Sequence, residues 1–135
     1  MRSIIVDAGP LIALFRRRDK HHSRVKRFLS ANTSRLVSTL PVVTEVCHFL
    51  NARGKTALLT WIQRGGLSLQ PIGADDLHEI ATLIERYADR EIDFADATLV
   101  WAAELLNTLD VMTIDRQDFL VYRLRSGKAF NLVLS

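Results

Sequence analysis

Short apolar runs, each closed by a polar or turn-forming residue, alternate along this chain with segments of helical periodicity. Ile4-Ile5-Val6 stops at Asp7, and Val111-Met112-Thr113-Ile114 stops at Asp115. Arg35 to Ser38, Leu67-Ser68-Leu69-Gln70 and Phe130 to Leu134 read as further short strands. Between them, Pro10 to Phe15 suits a short helix, and Val25, Phe28 and Leu29 give His21 to Asn32 one apolar face. Leu77, Ile80, Ala81, Ile84 and Tyr87 mark a longer helix capped by Asp75; Leu99, Trp101, Ala102 and Leu105 mark another, starting at Asp93. Alternation of this kind predicts an α/β fold with a central, mostly parallel sheet of four to five short strands, covered by helices on both faces. Right-handed crossovers bring the strand carboxyl ends to one edge, where open α/β sheets bind their ligands. Asp7 and Asp115 are both expected at that edge.

Local signals set the remaining boundaries. Thr39 resembles an N-cap with Pro41 in the first turn, opening a helix that runs to about Ala52 and stops at Gly54. Thr56 to Arg64 reads as the next helix, closed by Gly65-Gly66. No linker, repeat or low-complexity stretch interrupts the 135 residues, so one domain over 1–135 is expected.

Composition excludes several classes. No segment approaches the roughly 18 apolar residues that would span a bilayer. Asp7 and the Gly9-Pro10 turn break the apolar start, which argues against a secretory signal. Cys47, the single cysteine, allows neither an intrachain disulfide nor a thiolate metal cage, and a reducing, cytoplasmic setting with no membrane partner is expected. The net charge is only +3, yet Arg16, Arg17, Arg18, Lys20, Arg24, Lys26 and Arg27 crowd into one stretch. That stretch reads either as a polyanion footprint or as a solvated helix face and loop.

Five acids attract interest: Asp7, Glu45, Asp93, Asp96 and Asp115. Asp7 before Ala8-Gly9-Pro10 also suits a turn or helix cap. Glu45 lies among Val42, Val43, Val46, Phe49 and Leu50, where a desolvated carboxylate needs a partner or a proton. Asp93 and Asp96 have the spacing of an N-cap and its third helical residue, with Asp96 the better ligand candidate. Asp115 and Asp118 can cap a short helix, and Thr113 alternates with Asp115 to reach a ligand or a metal-bound water. Two carboxylates ~5 Å apart repel by roughly 3 kcal/mol at an effective dielectric of ~20. Convergence of four therefore demands a cation, raised pKa values, or both. With no cysteine cage, all-oxygen ligands favour Mg²⁺ or Mn²⁺ over Zn²⁺. His21, His22, His48 and His78 read as surface or packing residues.

Ile4-Ile5-Val6-Asp7-Ala8-Gly9-Pro10-Leu11, then Glu45, then Asp93-Phe94-Ala95-Asp96-Ala97, then Thr113-Ile114-Asp115-Arg116-Gln117-Asp118-Phe119 together resemble a PIN-domain nuclease, in order and spacing like the VapC-type toxins of bacterial toxin–antitoxin pairs. The resemblance covers essentially the whole chain. It implies a Mg²⁺- or Mn²⁺-dependent endoribonuclease, usually a homodimer, held by a cognate antitoxin. The family's acids fall on Asp7, Glu45, Asp96 and Asp115, with Asp93 a frequent companion. Asp7 and Asp96 would anchor the metal, Glu45 and Asp115 complete the cluster, and Thr113 position a water or phosphate. Asp118 is auxiliary, and Arg16, Arg17, Arg18 and Lys20 are candidate contacts to the RNA backbone.

Three rivals stand beside this reading: a solitary PIN-like metal nuclease acting on other RNA or on structured DNA, a weakly catalytic RNA- or antitoxin-binding module, and a receiver-like phosphoacceptor. The last requires a lysine near a late strand end, and none follows the fourth strand before Lys128.

Overall fold

The run Ile4-Ile5-Val6 lies wholly buried in β1 (Ser3–Val6), as expected of a strand covered on both faces. β1 is the middle strand of the sheet. In this computed structural model, residues 2–134 are described. The chain continues through α1 (Ala8–Phe15), α2 (His22–Ala31), β2 (Arg35–Ser38), α3 (Leu40–Cys47), α4 (Ala52–Gln63) and β3 (Ser68–Leu69). It then forms α5 (Leu77–Arg86), α6 (Phe94–Leu106), β4 (Asp110–Met112), α7 (Arg116–Val121) and β5 (Asn131–Leu132), with single 3-10 turns before and after α5.

The strand order is β3-β2-β1-β4-β5, every neighbouring pair parallel. From β1 the chain first works outward to β3, then crosses back to β4 and β5. Right-handed crossovers put the helices of these two excursions on opposite faces. The direction reverses between β1 and β4, which makes that gap the switch point where an open α/β sheet offers a crevice. Val6 pairs with Met112, and the Asp7 amide donates to the Met112 carbonyl at 3.0 Å. The residues that follow these two strands therefore stand side by side.

The expected elements are present, with several boundaries moved. The helix expected to run to Ala52 ends at Cys47, and Gly54 lies within the first turn of α4 instead of stopping α3. Asn51 is the cause: its side chain accepts from the Gly54 amide at 2.8 Å and starts a new helix. Thr39 holds the N-cap position of α3 but makes no capping bond, because its hydroxyl pairs with Thr98 at 2.7 Å. Asp75 falls inside the 3-10 turn Ala74–Asp76; the capping carboxylate there is Asp76, which accepts from the Gly73 amide at 2.7 Å. β4 begins one residue early and leaves Thr113 and Ile114 beyond its end. Gly9 permits α1 to sit close to this segment, since a Cβ there would come within 3.3 Å of Ile114 Cβ. Cys47 is half-buried against the core.

Candidate metal and nuclease site

Asp7 is where the sheet hands over to a helix. It is the N-cap residue of α1, and its Oδ1 accepts from the Ala8 amide at 2.8 Å. Its Oδ2 accepts from the buried Thr113 hydroxyl, also at 2.8 Å. The cap and ligand readings are thus compatible: capping fixes one oxygen, and Thr113, just past β4, fixes the other. Both bonds favour the ionised form, yet desolvation outweighs them and pushes the carboxyl up, with Asp93 and Asp115 adding repulsion.

Asp93 caps α6 through a 2.8 Å bond from the Asp96 amide to its Oδ1. Asp96 does not return the favour. Its side chain turns inward, and Oδ2 accepts from the Tyr122 hydroxyl at 3.1 Å. Desolvation first, then the charges of Asp7 and Asp93, push the Asp96 carboxyl up to about 8. A helix N-terminus normally favours a carboxylate. Burial and like charge win here.

Glu45, half-buried on α3, is also pushed up, by desolvation and then by Asp93 and Asp7, against a smaller opposing effect of His48. Asp115 is exposed at the start of α7, where it makes no side-chain cap bond, and its charge reaches Asp7. Asp118 pairs with Arg90 at 2.9 Å while its charge is felt at Asp96 and Tyr122. Elements distant in sequence thus bring Glu45, Asp93, Asp96 and Asp115 each within electrostatic range of Asp7.

Among the described residues, none of these five makes an ion pair. Equally, no three Asp, Glu, His or Cys side chains there are close enough to form a ready metal cage. The donor set is all carboxylate oxygen, which fits a hard divalent cation. Mg²⁺ is commonly held by one or two carboxylates while keeping several waters. Desolvated, mutually repelling acids without a cation are the other half of the fit. A closed protein cage of the zinc type does not fit.

Outside the cluster, Arg16, Arg17, Arg18 and Lys20 are exposed beyond the far end of α1, about 12 Å along its axis from Asp7. His21 and His22 are half-buried; His22 Nδ1 meets the Ala13 carbonyl at 2.7 Å, and His48 and His78 are exposed. Two groups escaped sequence reasoning. Tyr122 gave no signal, because it follows a helix of only six residues and touches Asp96 solely through tertiary packing. Ser38, Thr39 and Thr98 form a buried polar floor: Ser38 donates to the Val6 carbonyl at 2.9 Å, and Thr98 joins Thr39. For Ser38 and Thr39 the position directly after Leu36-Val37 was the available cue; Thr98, inside α6, offered none.

A parallel sheet with acids gathered at its switch point defines a class of α/β domain suited to phosphate chemistry. Residues 4–123 match the PIN domain, and the chain belongs to that family. It is similar to ribonuclease VapC26 of Mycobacterium tuberculosis (strain ATCC 25618 / H37Rv), with 27% identity over 134 residues, 96% of this chain and 99% of the relative. Its fold is similar to the crystal structure of Mycobacterium tuberculosis VapC20, a sarcin-ricin loop cleaving toxin. The TM-score is 0.75 at 22% identity, over 84% of this chain and 91% of that one.

Proposed function

We propose that this protein is a divalent-metal-dependent endoribonuclease, the toxin of a toxin–antitoxin pair, acting through Asp7, Glu45, Asp96 and Asp115. The observation that carries the reading is the pair Asp7 and Asp96: two desolvated carboxylates at the switch point, both pushed up, neither with a cationic partner among the described residues. Family membership and the ribonuclease VapC26 likeness supply the substrate class.

Asp7 and Asp96 would hold the ion, Mg²⁺ or Mn²⁺, with Glu45 and Asp115 completing the cluster directly or through water. An ion bound there would supply Lewis acidity, lowering the pKa of a water and offsetting charge on the phosphoryl oxygens. Thr113 donates to Asp7 Oδ2 and would keep that ligand oriented, alongside the positioning of water or phosphate that the resemblance implies for it. Glu45 sits at the rim, half-buried and with raised proton affinity, suited to take a proton from the nucleophile. Asp93 holds the α6 N-terminus and adds charge; Asp118, engaged by Arg90, belongs to the support of the site. Arg16, Arg17, Arg18 and Lys20 offer sequence-independent contacts to the RNA backbone beyond the cleavage point.

Homodimerisation and antitoxin binding belong to the same reading. Exposed Leu40, Phe49, Leu59, Phe94 and Leu105 provide apolar surface for partners. No helix among the described residues is long and apolar enough to cross a membrane, and a cytoplasmic site of action accords with an RNA substrate.

Purified wild type, Asp7→Asn and Asp96→Asn, assayed with Mn²⁺ on labelled RNA and on DNA flaps in parallel, test the proposal. RNA alone should be cut, and only by wild type, while all three keep the same circular dichroism spectrum. Full activity in either variant sinks the assignment, and preferential cutting of the flaps selects the DNA nuclease. Growth arrest on expression, relieved by co-expressing the neighbouring gene, tests the toxin role.

A further inference from the structure

Tyr122 lies just past the end of α7, buried and edge-on to two other rings. Its centroid is 5.0 Å from Tyr87 at 64° and 5.2 Å from Phe119 at 84°, and Phe119 in turn meets Phe130 at 5.7 Å. The next residue is tied as well, since the Arg123 amide donates to the Tyr87 hydroxyl at 2.8 Å. The Arg90–Asp118 pair joins the turn after α5 to α7 a second time. An aromatic brace therefore fixes the Tyr122 ring from several sides, and the hydroxyl at its tip donates to Asp96 Oδ2. Asp96 Oδ1 makes no hydrogen bond among the described residues.

Resting on the ribonuclease reading above, we propose that Tyr122 is a positioning residue for the metal site: it holds one oxygen of Asp96 and leaves the other for the cation. Thr113 likewise holds Asp7 Oδ2, whose companion Oδ1 accepts from the Ala8 amide, so each anchoring carboxylate has one oxygen held by a hydroxyl. The two supports differ in origin. Thr113 lies just past β4, the strand beside β1, whereas Tyr122 lies just past α7. Burying a phenol requires a partner for its hydroxyl. That requirement alone would be met by any backbone carbonyl, and here it is met by a carboxylate of the acid cluster. Partners that orient ligating carboxylates typically contribute about 10- to 100-fold in metal affinity.

Tyr122→Phe keeps the ring and its packing while deleting the hydroxyl. Calorimetric Mn²⁺ titrations of the full chain should show wild type binding, Asp96→Asn losing binding, and Tyr122→Phe weakened about 10- to 100-fold. The Mn²⁺ concentration giving half-maximal RNA cleavage should rise by the same factor, with the KM for RNA unchanged and the thermal midpoint within a few degrees of wild type. A purely structural tyrosine would lower the midpoint and leave Mn²⁺ affinity alone. Tyr87→Phe, which frees the Arg123 amide without touching Asp96, serves as a second probe should Tyr122→Phe fail to fold; it should weaken Mn²⁺ several-fold. Mn²⁺ affinity within twofold of wild type in a folded Tyr122→Phe overturns the proposal while the metal site stands. So does unchanged affinity in Tyr87→Phe where Tyr122→Phe does not fold. If wild type binds no Mn²⁺, or Asp96→Asn binds it equally well, the metal reading itself falls and takes this inference with it.

Discussion

β1 and β4 lie side by side, and each carries a charged residue at both ends. At the amino end, Arg2 precedes β1 and Asp110 begins β4; the two form an ion pair, and Asp110 also accepts from the Asn131 side chain at 3.0 Å. At the carboxyl end, Asp7 follows β1 and Asp115 follows β4, and both are acids. Asp96, Asp93 and Glu45 then add to the same sign. One end of the strand pair is neutralised in the manner of a structural contact. The other gathers carboxyl groups that make no ion pair among the described residues. A buried acid is therefore no signal by itself; an uncompensated group of them is.

The largest test of this contrast is catalytic. Asp7→Asn or Asp96→Asn should lower Mn²⁺-dependent RNA cleavage by about 10³-fold, roughly 4 kcal/mol of transition-state stabilisation. Asp110→Asn should leave the cleavage rate within a few-fold while destabilising the fold by about 1–2 kcal/mol in urea titrations. Equal effects on activity from the two ends would erase the distinction.

Next in size is a pH effect of opposite sign to the usual carboxylate case. In the folded protein the Asp96 carboxyl is raised to about 8 and Asp7 is raised as well. Between the unfolded value near 4 and about 8, the folded state holds more protons than the unfolded one. Metal-free stability must then fall as pH rises through that window. Asp96→Asn should flatten the decline and make the metal-free protein more stable than wild type at pH 8 by roughly 2–4 kcal/mol, the shift being discounted for the solvent that reaches this half-buried group. Saturating Mn²⁺ should restore wild-type stability there, by ~2.7 kcal/mol at a hundred times its dissociation constant. A wild type that gains stability between pH 5 and 8 without metal would contradict the electrostatics described above.

Glu45→Gln and Asp115→Asn should cost less activity, about 10- to 100-fold, because both stand at the rim of the site; single-turnover cleavage at saturating Mn²⁺ measures this. The smallest effect belongs to the distant basic group. Replacing Arg16, Arg17 and Arg18 by Ser should weaken RNA binding about 5-fold at low salt and lower the salt slope by ~0.7 per lost phosphate contact. Mn²⁺ affinity should not change. A loss of cleavage as deep as that of Asp96→Asn would move these arginines into the reacting centre.

Much of this was legible from local pattern. The continuous run Ile4-Ile5-Val6 and the strand ends at Asp7 and Ser38 followed from apolar periodicity and the residues that interrupt it. Boundaries between helices were harder. Asn51 restarts a helix where Gly54 had suggested a stop, because a side chain accepting one amide outweighs the modest cost of a glycine in the first turn. Thr39 failed as a cap for a tertiary reason: Thr98, on a helix far along the chain, competes for its hydroxyl.

The sequence by itself determined the alternation of strands and helices, the acids at the strand ends and helix start, and the family to which their order belongs. Local chemistry specifies those features, since periodicity, capping and turn formation act over a few residues. Tertiary structure alone decided which charges are compensated. Arg2 neutralises Asp110 and Arg90 meets Asp118, while Asp7 and Asp96 are left with hydroxyl partners, Thr113 and Tyr122. Charge compensation depends on distance and desolvation, and both are set only when strands and helices remote in the chain close around the same edge.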